Sequence, residues 1–147
     1  LLDENYLLKV SDFALASNEA DDPSQGRNGG LHEPINQFNE GFFGEDADIF
    51  AAGVVLFIMV TGFQPFKSTK ENDIYYRTLN GNPSRFWNTY KNKSLSTSFK
   101  DLIQRMLSDD QGMRLSVSEI RQHPWFCGDI LLNRDLTDTV YKLRGRK

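Results

Sequence analysis

The chain predicts a mainly α fold, in which one or two short strands at the start precede a helical bundle around a buried central helix. Three observations carry this. Ile49 to Phe66 holds no charged residue, and Gly62 to Pro65 would end its helical part near Val60. Apolar residues at 99, 102, 103, 106 and 107 recur at the spacing that puts them on one helix face. The pattern Ser-x-x-Glu occurs at Ser68–Glu71 and at Ser116–Glu119, where each hydroxyl and carboxylate can close the open N–H groups of a helix start.

In chain order, Asp3-Glu4-Asn5 reads as a turn and Tyr6-Leu7-Leu8-Lys9-Val10 as a short strand that delivers Asp12 at its end. From Ala16 to Gly30 the chain turns to Asn, Asp, Ser, Gly and Pro with no periodicity, which predicts a mobile loop. Loops of that length inside compact domains are usually functional or disordered. Asp46 is expected to open the apolar helix, with Asp48 in its first turn, where a carboxylate suits the helix dipole. A helix capped by Ser68 should run to about Asn80, where Gly81 and Pro83 stop it. Ser96 or Ser98 caps the next, which carries the apolar stripe, and Ser116 caps a short one that ends before His123-Pro124.

At 147 residues, 39% of them hydrophobic, the chain is long enough for one domain with a core. A net charge of −3 with both signs interspersed shows no basic face, so nucleic acid is not an expected partner. Cys127 stands alone, which excludes an internal disulfide framework and agrees with a reducing, cytoplasmic setting. It reads as a plain structural cysteine. The uncharged run is near spanning length, but Gly53, Thr61, Gly62, Gln64 and Pro65 shorten its apolar part, so a buried helix explains it better than a membrane span. The start, Leu1-Leu2-Asp3, carries no initiator Met and no signal-peptide pattern, and reads as a cut.

The motifs narrow the chemistry. Val10-Ser11-Asp12-Phe13-Ala14 follows the strand; Asp48-Ile49-Phe50-Ala51-Ala52-Gly53-Val54 opens the apolar helix; Thr61-Gly62-Phe63-Gln64-Pro65-Phe66 ends it. Phe86-Trp87, then Asp110, Arg114, Glu119 and His123-Pro124-Trp125-Phe126, follow in order. This series over residues 1 to 126 resembles the C-terminal lobe of eukaryotic Ser/Thr protein kinases of the calcium/calmodulin-dependent and AMP-activated type. The resemblance implies an incomplete α+β kinase fold, with 127–147 as a C-terminal extension. It implies that Asp12 is the D-F-G carboxylate, the ligand for the Mg²⁺ that bridges the ATP phosphates. It makes Asp48 the carboxylate that holds the catalytic loop through backbone N–H bonds, and Arg114 one half of a buried ion pair with the Glu of A-P-E. His123 reads as a helix-end structural residue, and neither it nor His32 has a second metal ligand at a suitable spacing.

Two places depart from the family pattern. Ala14 stands where D-F-G has Gly, which keeps the Asp12 carboxylate and restricts the backbone after it. Setting Pro34 on the Pro of A-P-E leaves Ile35 at the Glu, Leu31 at the Tyr and Arg27-Asn28 at the Gly-Thr before them. Either those residues are substituted or a short stretch around His32 is missing; Glu33 is the carboxylate that could then serve Arg114, since an unpaired buried Arg costs several kcal/mol. The Gly-rich loop, the strand Lys and the H-R-D catalytic loop are not in this chain, and the base would lie upstream of Leu1. The expectation is thus a portion of an enzyme that takes ATP and Mg²⁺ and acts on protein substrates, with an N-lobe as its partner and no membrane. The alternative is a catalytically inactive pseudokinase-like module that binds proteins.

Overall fold

The computed structural model describes residues 1, 3, 7–11, 13, 44–91 and 94–128. The chain divides into two compact units, Leu1–Asn18 with Gly128–Lys147, and Glu19–Cys127.

In the first unit the Leu1 amine donates to the Lys9 carbonyl at 3.0 Å and the Lys9 N–H returns to Leu1 at 2.8 Å. Asp3 N–H donates to the Leu7 carbonyl, and the Asp3 carboxylate accepts from Leu7 N–H at 2.9 Å. The strand expected over residues 6–10 is corrected: among the described residues there is a single bridge at Leu8.

The described residues of the second unit are mainly helical, as their apolar periodicity predicts. Helix α1 covers Gly44–Thr61, α2 Ile74–Gly81, α3 Pro83–Asn88, α4 Thr97–Met106 and α5 Val117–Gln122, with a 3₁₀ turn at Gln111–Met113. Helix α1 already includes Gly44, two residues before the expected opening at Asp46, so Asp48 lies in its second turn. It ends where predicted: Gly62 takes φ +79° and its N–H closes on the Ile58 carbonyl, a backbone state that glycine reaches without strain.

One expected start is corrected. Ser68 caps nothing; the cap of α2 is Asp73, whose carboxylate accepts from Tyr75 and Tyr76 N–H while its second oxygen accepts from Lys67 and Ser68 N–H. One carboxylate therefore closes both the helix and the loop before it, an arrangement that a Ser hydroxyl cannot supply. Pro83 does stop α2 and at once begins α3 at its first position, with the Asn82 side chain accepting from Arg85 N–H. Ser96 caps α4, and Ser116 with Glu119 forms the expected capping box of α5.

The core is aromatic. Phe57 on α1 meets Phe86, Trp87 and Tyr90 with ring centroids 5.9, 6.1 and 5.2 Å away. Trp87 continues to Phe99 on α4, and Phe99 to Trp125. Trp87 Nε1–H finds Gln104 Oε1 at 2.9 Å, so the indole is buried with its polar edge satisfied. Helix α1 is not buried all round. Phe50, Gly53, Val54, Phe57 and Thr61 face inward, while Ala51, Ala52, Val55 and Met59 are exposed.

Candidate functional site

Asp12, Ala14, Glu33 and His32 lie outside the described residues. Of the residues expected to matter, Asp48 and Arg114 are placed, Asp48 on α1 and Arg114 against its first turns.

Arg114 follows the 3₁₀ turn, where Asp110 closes the backbone by accepting from Gly112 N–H at 2.9 Å. That turn points the side chain inward, and Arg114 is buried. Its Nε donates to the Ser108 carbonyl at 2.8 Å and its Nη1 to the Asp46 carbonyl at 3.2 Å. The guanidinium carbon stands 5.1 Å from the centre of the Phe50 ring, within cation–π range. Phe50 is fully buried and also packs on Phe66 at 5.9 Å. A planar fork of donors over a flat ring is a geometry that lysine does not reproduce. Arg114 thus pins the first turns of α1 to the chain that leads into α5.

Asp48 is exposed on the same turns of α1. An exposed carboxylate on a helix fixed from behind by Arg114 can accept N–H bonds from a backbone laid over it, as the resemblance implies. Among the described residues no group of three or more His, Cys, Asp or Glu is arranged to hold a metal ion. No described helix is long and apolar enough to cross a membrane.

His123 caps α5 and is buried. Its Nδ1 accepts from Trp125 N–H at 3.2 Å, which makes Nε2 the protonated nitrogen, and Nε2–H donates to the Asp101 carboxylate at 3.0 Å. The ring ties α5 to α4. Cys127 is exposed, with Sγ 3.2 Å from the Arg121 carbonyl.

The residue that sequence reasoning missed is Asp73. The signal was present, since an Asp directly before Ile-Tyr-Tyr is a good N-cap, but the Ser-x-x-Glu pattern five residues earlier competed with it. Partial burial pushes the Asp73 carboxyl upward; the four backbone N–H donors outweigh this and hold it below the ordinary carboxylate range.

Residues 1–126 match the family model described as the protein kinase domain. Among curated proteins, the chain is 34% identical over 157 residues to CBL-interacting protein kinase 26 of Oryza sativa subsp. japonica, an alignment that takes in 97% of this chain and 30% of that protein. It is 33% identical over 161 residues to CBL-interacting protein kinase 10 of the same plant, covering 97% and 33%. It is 32% identical over 127 residues to calcium-dependent protein kinase 9 of Arabidopsis thaliana, covering 84% and 23%. The chain therefore spans a third or less of the length of these relatives.

Proposed function

Because this chain belongs to the protein kinase domain family, we propose that it is the C-terminal-lobe portion of an ATP-dependent Ser/Thr protein kinase, transferring a phosphoryl group from Mg-ATP to protein Ser or Thr. The observation that carries this reading is the ordered run of family positions over residues 1–126, with Arg114 buried behind the turns of α1 that present Asp48. In the whole enzyme Asp12 would be a ligand to Mg²⁺, which neutralises charge on the phosphates when bound. The base and the second metal ligand would come from a catalytic loop, which the order of the family's motifs puts ahead of Asp12. Asp48 would hold that loop in place, and Glu33 is the carboxylate proposed to reach Arg114.

The exposed apolar residues Val55 and Met59 of α1 support a partner role for the rest of the kinase domain, because large bare apolar positions side by side on a helix mark a seat for another surface. Residues 127–147 form an extension of this domain, and the setting we assign to the enzyme is cytoplasmic, with protein substrates.

A second reading, a pseudokinase-like protein-binding module, is favoured by Ala14 in place of the D-F-G glycine. Full-length parent protein and its Asp12→Asn variant separate the two. Transfer of labelled phosphate by the parent and its loss in Asp12→Asn, with the same helical content, supports the enzyme. A parent that binds partners but never transfers phosphate supports the module.

A further inference from the structure

Asn80 is followed directly by Gly81, and the pair sits where α2 ends. The Asn80 side chain is half-buried and bonded at both ends of its amide: Nδ2 donates to the Tyr76 carbonyl at 3.2 Å, and Oδ1 accepts from the Asp109 N–H at 3.1 Å. One neutral amide therefore ties α2 to the turn that follows α4. A carboxylate in its place could still accept from Asp109 but could not donate to Tyr76.

No contact calls for the glycine. Gly62 is the described glycine in the left-handed region, whereas a Cβ built on Gly81 would meet nothing within 4 Å. What Gly81 offers is chemical. With no Cβ beside it, its backbone nitrogen can approach the side-chain amide carbon of the residue before it with little hindrance. Attack there forms an N–Cγ bond and breaks the bond from Cγ to the amide nitrogen, which leaves as ammonia with the proton of the Gly81 nitrogen. Water then opens either C–N bond of the cyclic imide and gives aspartate or isoaspartate at position 80. No oxidant and no second protein is required.

The folded helix holds this reaction off. The nitrogen of Gly81 belongs to the α2 ladder, and the next N–H, that of Asn82, closes on the Thr78 carbonyl at 2.9 Å. A helix of 8 residues is too short to persist without tertiary support, so local opening of this end is the gate.

We infer that Asn80-Gly81 is a self-modifying site: each opening of the end of α2 exposes it to deamidation, and the product cannot re-form the clasp. Aspartate at this position loses the Tyr76 bond and sets a negative charge at the C-terminal end of a helix, where the dipole opposes it. Isoaspartate adds a main-chain atom ahead of Asn82, whose side chain caps α3 through the Arg85 N–H. The change runs one way and consumes only water, so it stands whether the parent is an enzyme or a binding module.

The test is incubation of the 147-residue chain for several weeks at mildly alkaline pH, with peptide mass mapping that separates position 80 from the other Asn-Gly pair, Asn28-Gly29. Aspartate and isoaspartate should accumulate at position 80 about tenfold or more slowly than in the free peptide Arg-Thr-Leu-Asn-Gly-Asn-Pro, and urea below the unfolding midpoint should narrow that gap. Gly81→Ala, which the open space accommodates, should slow the conversion at position 80 about tenfold and leave that at Asn28 unchanged. Asn80→Asp, the pure aspartate product, should lower the melt by about 4 °C and shift the Asp109 amide in the NMR spectrum. Position 80 unconverted while the free peptide converts in full, conversion as fast as in the free peptide, or Gly81→Ala converting as fast as wild type would each overturn the proposal. An Asn80→Asp chain with the wild-type melt and Asp109 shift would overturn it as well.

Discussion

Gly53 of α1 lies directly against Leu107 at the end of α4: a Cβ at position 53 would stand 2.9 Å from Leu107 Cδ2 and 3.0 Å from Met106 Cβ. Leu107 is completely buried, so it has no open side to retreat to. This contact accounts for a Gly at position 53 inside a helix, where it costs about 1 kcal/mol against Ala.

Gly53→Ala sets that propensity gain against overpacking, which costs about 1–3 kcal/mol in tight cores. Because Met106 Cβ is fixed to its backbone and cannot swing aside, overpacking should win. Urea unfolding should show Gly53→Ala destabilised by about 1 kcal/mol and Gly53→Val by more; a stabilised Gly53→Ala would mean that α1 and α4 separate freely.

Arg114→Lys keeps the charge but loses the fork that serves the Ser108 and Asp46 carbonyls together and the flat contact with Phe50. A loss of about 1–2 kcal/mol is expected for Lys and about 3 or more for Ala, which removes both bonds and empties the space beside Phe50. Denaturant midpoints check this, and equal midpoints for Lys and wild type would assign the anchoring to charge alone.

The Asp73 carboxyl is held low, so its contribution to stability is complete above the ordinary Asp value of about 4 and is lost as pH falls through the lowered folded value. Thermal melts should therefore weaken below about pH 4, and Asp73→Asn should lower the melt at pH 7 while flattening part of that acid slope. The exposed Glu119, lowered by the Ser116 N–H and hydroxyl, adds to the slope in the same direction and remains in the Asp73→Asn variant.

His123 makes two directed bonds from a buried position, whereas the side chain of its partner Asp101 is 60% exposed. His123→Ala should cost about 2–3 kcal/mol through the lost ring and the stranded Trp125 N–H, and Asp101→Asn, which can still accept from Nε2–H, under about 1 kcal/mol. Reversed magnitudes in chemical unfolding would place the weight on the ion pair instead.

The chain by itself determined most of the helical register. The stripe from Phe99 to Leu107, the capping box at Ser116 and the stop at Gly62 are local signals, each complete within a turn or two, and all three reappear in the structure. The order of motifs also marked Asp48 and Arg114 before any contact was known. Only the tertiary structure decided what those residues touch. Arg114 finds the carbonyl of Asp46, 68 positions away, because α1 and the turn at Gln111–Met113 meet, and no spacing rule encodes that meeting. Asp73 displaced Ser68 as a cap because its two oxygens can join a helix start to a folded-back loop, a gain that exists only once the loop has closed. Helix α3 was missed for the same reason. Its six residues are too few to hold a helix alone, and Phe86 and Trp87 stabilise it only by packing on Phe57. The bare face of α1 follows from what packs against the helix and what does not, and an apolar run reads alike in sequence on either side.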